Sequence, residues 1–349
     1  MKLTRGNLLE ADTDALVNTV NTVGVMGKGV ALQFKKAFPE NFRAYKAACD
    51  EREVRTGTMF VYELKGLHNP RYIVNFPTKK HWKGKSKLRD IEAGLRDLKR
   101  VILEYEIRSI AIPPLGCGYG GLDWSDVYPR IKHELSTLKN VDVLLYEPGK
   151  TPAASEMPIK TRRPKMTEGR AAIIGLIGRY TQLGYEASLL EVQKLAYFMQ
   201  EAGEPLRLRY VKEKFGPYAD NLRHVLDYIE GHYIQGFGDG SKPRTAVVQL
   251  MEGAQQKADE FLESHPETHE RFNRVTDLIE GFETPYGMEL LATVHWVASE
   301  NLDARIDSGA AVQAVHAWSA RKRRSFKPEH IEVAWERLQE QGWLQPIAG

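Results

Sequence analysis

Two glycine-rich segments carry the residue types and spacing most suited to chemistry. The first, Gly24-Val25-Met26-Gly27-Lys28-Gly29, follows an apolar run at Ala15–Asn18 and a polar turn, Thr19-Val20-Asn21-Thr22. It leads into a helix-compatible run from Val30 to Ala37. Glycines let a backbone approach a diphosphate closely, and a helix start offers free N–H groups and a positive dipole end. Lys28 adds a cation. The pattern G-x-x-G-x-G is neither a P-loop, which needs Lys then Ser or Thr after its second glycine, nor a dinucleotide fingerprint. Taken alone it serves equally well as a tight turn. The second segment, Pro113-Pro114-Leu115-Gly116-Cys117-Gly118-Tyr119-Gly120-Gly121-Leu122, follows a buried-looking strand at Ser109–Ile112 and precedes a helix pattern from near Asp123. Two strand–glycine loop–helix units in one half of a chain predict a ligand held at the carboxyl ends of strands in an open α/β sheet.

The elements that must position these loops alternate along the first 147 residues. Strands are expected at Lys2–Arg5, Ala15–Asn18, Thr58–Leu64, Tyr72–Phe76, Ser109–Ile112 and Asp142–Tyr146, and helices at Val30–Ala37, Glu40–Arg52, Lys87–Tyr105 and Ser125–Leu138. Leu88, Ile91, Leu95, Leu98, Ile102 and Tyr105 repeat at three- and four-residue spacing, giving the third helix one buried face, with Ser86 as its expected N-cap. Alternation of this kind predicts a mixed, largely parallel sheet with helices on both faces. From 151 to 168 the chain is basic and proline-containing and reads as a linker. Residues 169–349 read as a predominantly α-helical domain, with helices at Arg170–Thr181, Leu189–Ala202, Tyr218–Ile229, Ala254–Glu263, Pro266–Glu280, Pro285–Asn301, Ala310–Arg321 and Lys327–Gln341. A short hairpin is expected around 205–212 and 244–250, and Arg321-Lys322-Arg323-Arg324 reads as an exposed turn before Pro328.

Composition narrows the class. The 349 residues suit two domains, and 42% apolar content suffices for real cores. No run of eighteen apolar residues suggests a membrane span, and the start of the chain enters a strand without a signal-peptide core. Cys49 and Cys117 lie far apart with no metal-ligand spacing, which fits a reducing cytoplasm and predicts no metal or redox cofactor. The overall net charge of +3 hides an asymmetry: residues 1–150 carry +7 and residues 171–349 carry −7. The first half should favour polyanions; the second should favour a basic partner or imitate a polyanion, with acid pairs such as Asp259-Glu260 or Glu267 and Glu270 as alternative stand-ins for phosphates.

Four segments together resemble the macrodomain family: Arg5-Gly6-Asn7-Leu8, Val17-Asn18-Thr19-Val20-Asn21, Gly24-Val25-Met26-Gly27-Lys28-Gly29-Val30-Ala31 and Pro114-Leu115-Gly116-Cys117-Gly118. Asn75-Phe76-Pro77-Thr78-Lys79-Lys80-His81-Trp82 resembles the branch that removes ADP-ribose and uses a lysine beyond a strand end. With the linker and helical half added, the chain is similar to macrodomain antitoxins paired with a toxin that places ADP-ribose on DNA bases. The C-terminal likeness, carried by Lys214-Phe215-Gly216-Pro217-Tyr218 and Gly231-His232-Tyr233-Ile234-Gln235-Gly236, is the weaker part.

The resemblance implies an enzyme, an ADP-ribosyl glycohydrolase, with Lys80 catalytic. It implies that ADP-ribose is held by Asn7 and Leu8 after the first strand, by Asn18, Thr19 and Asn21, and by Val25, Met26, Gly27, Lys28, Gly29 and Val30. Thr78 and the run Pro114, Leu115, Gly116, Cys117, Gly118, Tyr119 and Gly120 complete the set. Asn7 stands where macrodomains usually carry an aspartate for the adenine amino group. The nearest lysine-using relatives also carry a G-C-G-x-D arrangement; here Gly120 takes the aspartate's place and Asp123 reads as a helix cap. Lys79, His81, Trp82 and Lys83 suit contact with DNA, lysines on phosphates and rings on an extruded or single-stranded base. The implied substrate is ADP-ribosylated DNA, modified at thymidine in single strands, and the implied partner is a DNA ADP-ribosyltransferase toxin, bound as a heterodimer by the helical domain. Two rivals remain: an ADP-ribose reader without activity, and a hydrolase of ADP-ribosylated proteins.

Overall fold

The computed structural model describes residues 1–66, 68–149, 157–182, 184–238 and 246–345. The chain falls into two compact units, residues 1–162 with 238–241 and residues 163–237 with 242–349. Of the segment expected to be a linker, 151–156 lies outside the described residues. Lys160 belongs to the first unit, its N–H donating to the Lys36 carbonyl at 3.0 Å. Pro164 belongs to the second, its carbonyl accepting from the Tyr233 hydroxyl at 2.7 Å.

The first unit is built on a six-stranded sheet. Its strands are β1 (Lys2–Thr4), β2 (Ala15–Asn21), β3 (Phe60–Glu63), β4 (Tyr72–Lys79), β5 (Ser109–Ile112) and β6 (Asp142–Tyr146), ordered β1-β6-β5-β2-β4-β3. Every neighbouring pair is parallel except β3 with β4. Successive side chains leave opposite faces of a strand, so a strand buried on both faces is apolar throughout. Val17, Val74, Phe76, Ile110 and Ile112 face one core with α3 (Leu88–Glu104) and α4 (Trp124–Leu135). Leu16, Ile73 and Ala111 face the other with Phe34 of α1 (Gly29–Ala37). The remaining helix, α2 (Pro39–Asp50), packs Tyr45, Ala48 and Cys49 around Val20 and Met26. Helix α3 lies close against the sheet at Gly94, where an added Cβ would fall 2.3 Å from the Phe76 ring.

Two strands run further than their sequence suggests. Strand β2 continues through Thr19, Val20 and Asn21, which had read as a turn. Strand β4 continues through Pro77 to Lys79, although proline cannot donate to a ladder. The register shifts between Val20 and Asn21, pairing Val20 with Pro77 and Asn21 with Lys79, so the irregularity absorbs the proline. Ser86 does not cap α3. The N-cap is Lys87, without a side-chain cap bond.

The second unit is mainly helical: α5 (Glu168–Thr181), α6 (Leu189–Glu201), α7 (Leu222–Ile229), α8 (Ala254–Glu263), α9 (Pro266–Ile279), α10 (Pro285–Glu300), α11 (Leu302–Ile306), α12 (Ser308–Trp318), α13 (Ala320–Ser325) and α14 (Pro328–Glu340). Helices α6 and α10 are buried almost all round and form its centre. The expected hairpin is displaced to β8 (Val211–Glu213) and β9 (Gly216–Tyr218), which shortens the predicted Tyr218–Ile229 helix to α7. Strand β11 (Val247–Leu250) instead pairs with β10 (Ile234–Gln235) and β7 (Ala187–Ser188). The start of the expected second strand, 244 and 245, lies outside the described residues.

The exposed turn expected at Arg321–Arg324 is helix α13. Lys322 is fully buried there, its amine 2.6 Å from Glu289 Oε1 and 2.8 Å from Thr293 Oγ1. Ser319 interrupts the predicted Ala310–Arg321 helix with extended backbone and caps α13 by accepting from the Lys322 N–H. No helix among the described residues is long and apolar enough to cross a membrane.

Candidate functional site

Strands β5, β2 and β4 are adjacent and parallel, so the loops beyond their carboxyl ends are neighbours. These are residues 22–28 after β2, 80–87 after β4 and 113–123 after β5. The two glycine loops and the lysine strip are thereby brought to one edge of the sheet, a crevice of the kind open α/β sheets use for ligands. A shallow depression lined by Asp14, Arg71, Tyr72, Tyr105 and Arg108 lies at the amino ends of the same strands, away from these loops.

Asn21 shapes the first loop. Its Nδ2 donates to the Val25 carbonyl at 2.6 Å, and its Oδ1 accepts from the N–H groups of Val23 and Val25. The Tyr45 hydroxyl donates to the Asn21 carbonyl at 2.6 Å, which fixes the strand end beneath. Burial raises the Tyr45 pKa, so this hydroxyl stays a donor at any ordinary pH. Gly24 takes φ +72° to turn the loop, and an added Cβ there would meet Lys46 at 3.3 Å. Helix α1 begins at Gly29 with no side-chain cap from Lys28, so its first-turn N–H groups lack an intrahelical acceptor and face the crevice edge. Val25, Gly27 and Lys28 are exposed, while Gly29 and Val30 are half-buried.

Beneath this loop lies a chain of neutral amides. Asn18 Nδ2 donates to Asn75 Oδ1 at 2.9 Å, and Asn75 Nδ2 donates to Asn41 Oδ1 at 2.7 Å and to the Phe60 carbonyl at 3.2 Å. All three asparagines are fully buried. Asn18 also lies 3.8 Å from the Met26 sulfur, holding a loop residue down into the core. Of the residues read as ADP-ribose contacts, Leu8, Asn18, Asn21, Met26 and Thr78 are thus buried, and Thr19 is half-buried. Thr78 Oγ1 donates to the Val20 carbonyl at 3.4 Å. Asn7 caps a short helical turn, its Oδ1 accepting from Leu9 N–H at 3.1 Å and its Nδ2 donating to Glu10 at 3.0 Å. Asn41 and Tyr45 are supporting residues that sequence reading missed, and Ser86, read there as a helix cap, packs against the second loop instead. Asn75 alone carried a signal, as an amide inside an otherwise apolar strand.

The second glycine loop closes on itself: Leu122 N–H donates to the Gly116 carbonyl and Gly121 N–H to the Gly118 carbonyl. Gly116 needs φ +73°. A side chain at Gly120 has no room, because its Cβ would lie 2.3 Å from Ser86 Oγ and 2.4 Å from the Gly116 carbonyl oxygen. This is the physical content of the missing aspartate. Asp123 occupies the N-cap position of α4 without making a side-chain cap bond, and it is exposed. Pro114 and Cys117 are half-buried, Leu115, Gly116 and Gly120 buried, and Gly118 exposed. Burial, with a smaller contribution from Asp123, pushes the Cys117 thiol up to about 11, so it is protonated at neutral pH and serves as packing. The exposed Tyr119 ring lies against Gly29, where an added Cβ would be 3.4 Å from Cε2, joining one loop to the other.

The lysine strip runs along the third side. Lys80 directly follows β4, and its carbonyl accepts from Thr22 N–H at 3.2 Å and Thr22 Oγ1 at 2.8 Å. Its backbone is therefore pinned to the first loop. The side chain is exposed, and no hydrogen bond or ion pair among the described residues engages its amine. Lys79 is half-buried and donates to the carbonyls of Trp82 at 3.1 Å and Tyr119 at 3.3 Å. Burial lowers its pKa. His81 and Trp82 are exposed and stacked, with ring centroids 5.4 Å apart, and the Lys83 amine sits 4.9 Å from the Trp82 ring. Lys83 N–H donates to His81 Nδ1. Among the described residues no group of His, Cys, Asp and Glu could hold a metal.

Glycine loops at the carboxyl ends of adjacent parallel strands, with helices on both faces of the sheet, define a macrodomain, and the Macro domain family model matches residues 17–131. The whole chain is 50% identical to the DNA ADP-ribosyl glycohydrolase of Thermus aquaticus, covering 99% of this chain and 95% of that one. It therefore belongs to the DNA ADP-ribosyl glycohydrolase family. A DNA ADP-ribosyl transferase–DNA ADP-ribosyl glycohydrolase fusion protein of Thermosipho africanus is 35% identical, covering 42% of each chain. Among solved structures, the macrodomain of Thermus aquaticus DarG is 58% identical over 42% of this chain and 97% of that chain, with a TM-score of 0.41.

Proposed function

We propose that the first unit removes ADP-ribose from DNA bases, specifically thymidine in single-stranded DNA, and that the second unit binds and silences a DarT-like DNA ADP-ribosyltransferase toxin as a heterodimer in the cytoplasm. The observation that carries the enzymatic reading is the placement of Lys80. Its backbone is held against the first glycine loop while its amine is left unengaged at the edge where both loops meet. Family membership supports the same chemistry.

In this reading the diphosphate lies along the N–H groups at the start of α1, beside Lys28, and Tyr119 and Val25 cover it. The distal ribose then faces Lys80. Cleavage breaks the bond between the anomeric carbon and the base nitrogen; the base leaves with the bonding electrons and takes a proton. Positive charge builds on the ribose as this bond opens. The Lys80 amine acts at that centre, as an attacking neutral amine displaced later by water or as a charge that steadies the departing base. In both routes one water molecule supplies the hydroxyl that ends on the anomeric carbon and, net, the proton that ends on the base nitrogen, so free ADP-ribose and the unmodified base are returned. The exposed lysines Lys80, Lys83, Lys85 and Lys87, with the exposed Trp82 among them, support a nucleic-acid substrate. The net −7 of residues 171–349 and the transferase–glycohydrolase fusion relative support a basic toxin as partner.

The test is release of ADP-ribose from an oligonucleotide carrying ADP-ribosyl-thymidine, by the parent chain and by Lys80→Ala. One observation favours a second reading, an ADP-ribose reader: the second loop has no space for a carboxylate at Gly120. A reader would bind ADP-ribose and release none, with or without Lys80.

A further inference from the structure

The lysine beside Lys80 has a different task from the one its charge suggests. Lys79 ends β4 opposite Asn21, where the first glycine loop departs. Its amine donates to the Tyr119 carbonyl, in the second loop, and to the Trp82 carbonyl, within its own strip. Further ties run alongside. Ser86 N–H donates to the Gly120 carbonyl at 2.9 Å, and the Lys85 stem lies 3.7 Å from where a Gly121 Cβ would be. The Tyr119 ring in turn lies on Gly29, the first residue of α1. Lys79 thus connects the strip, the second loop and, through Tyr119, the first loop. The connection consists of two ion–carbonyl hydrogen bonds, which are stronger than neutral ones.

We infer that Lys79 is a positioning residue: its amine fixes the height of Tyr119 over Gly29 and so sets the width of the groove between the two glycine loops. The inference rests on the reading of these loops as the ADP-ribose site. A phosphate-binding lysine would leave its amine unengaged in the free protein, whereas this one donates to two backbone carbonyls. Its loss loosens the binding of ADP-ribose itself and leaves the bond-breaking step, which belongs to Lys80, largely intact.

The experiment compares the full chain with Lys79→Met, which keeps the stem and removes the donors, and with Lys79→Arg, which keeps a donor. Calorimetric titration with free ADP-ribose should show affinity at least tenfold weaker for Lys79→Met and within about threefold of the parent for Lys79→Arg. Release from a modified single-stranded oligonucleotide should show a raised KM with kcat within about threefold. If Lys79 instead contacts DNA phosphate, Lys79→Met leaves the affinity for free ADP-ribose unchanged and reduces the salt dependence of oligonucleotide binding by about one phosphate contact. That result overturns the inference. Amide hydrogen exchange on the ligand-free proteins gives a readout independent of activity. Faster exchange confined to 116–121 in Lys79→Met supports the clamp, and unchanged exchange there overturns it even if the parent proves to be a reader.

Discussion

The two units build different buried polar networks. The first buries a chain of neutral amides, Asn18–Asn75–Asn41, beneath a sheet edge where Lys28 and Lys80 are exposed. The second buries charge. Glu289 binds Lys322 and Arg321 between α10 and α13, and Arg321 also lies over the Phe215 ring at 4.6 Å. Burial works to raise the Glu289 pKa, and the two cations outweigh it and hold the carboxyl below its usual range. Burial pushes Lys322 down to about 8, so it remains charged at neutral pH. Neutral amides shape a strand end without imposing a local charge, which leaves the crevice field to Lys28, Lys80 and the α1 dipole. An internal ion cluster is spent on holding helices and hairpin together.

The contrast can be broken by removing one member of each network. Glu289→Ala leaves Lys322 buried without its counter-ion and should cost about 3–5 kcal/mol, seen as early loss of second-unit structure in a urea titration. Asn75→Ala removes the partner of both Asn18 and Asn41 and should cost roughly 1–3 kcal/mol, with weaker ADP-ribose binding because Asn18 no longer anchors Met26. Equal costs from the two substitutions would remove the distinction. A third test is a pH slope. His295 is fully buried beside the Tyr197 hydroxyl at 2.8 Å, and burial pushes its pKa down to about 4. Above about pH 6.5 the folded and unfolded forms are both neutral. Between there and pH 4 only the unfolded chain takes up the proton, so stability falls with acidification by up to about 1.4 kcal/mol per pH unit. His295→Gln should flatten that slope.

Much of the first unit is legible in the sequence, because glycine loops after apolar runs and helical periodicity are local signals. What stayed hidden depends on distant partners. Pro77 ends the strand signal, and only the β2 register shift shows why β4 continues to Lys79. Ser86 looks like a helix cap, but it fills the space against Gly120, thirty-four positions away. The run Arg321–Arg324 looks solvated because nothing in its spacing reveals Glu289 on another helix. In the candidate site the loops that gather at the sheet edge were legible, while the different engagement of the Lys79 and Lys80 amines was not. It depends on carbonyls at Trp82 and Tyr119 that no side-chain pattern displays.

The most direct measurement is ADP-ribose release from a single-stranded oligonucleotide carrying ADP-ribosyl-thymidine, alongside calorimetric binding of free ADP-ribose. The parent should release ADP-ribose, and Lys80→Ala should release it at least a hundredfold more slowly while still binding the free ligand. Equal release by the two chains, or none by either with ADP-ribose still bound, would contradict the assignment of catalysis to Lys80.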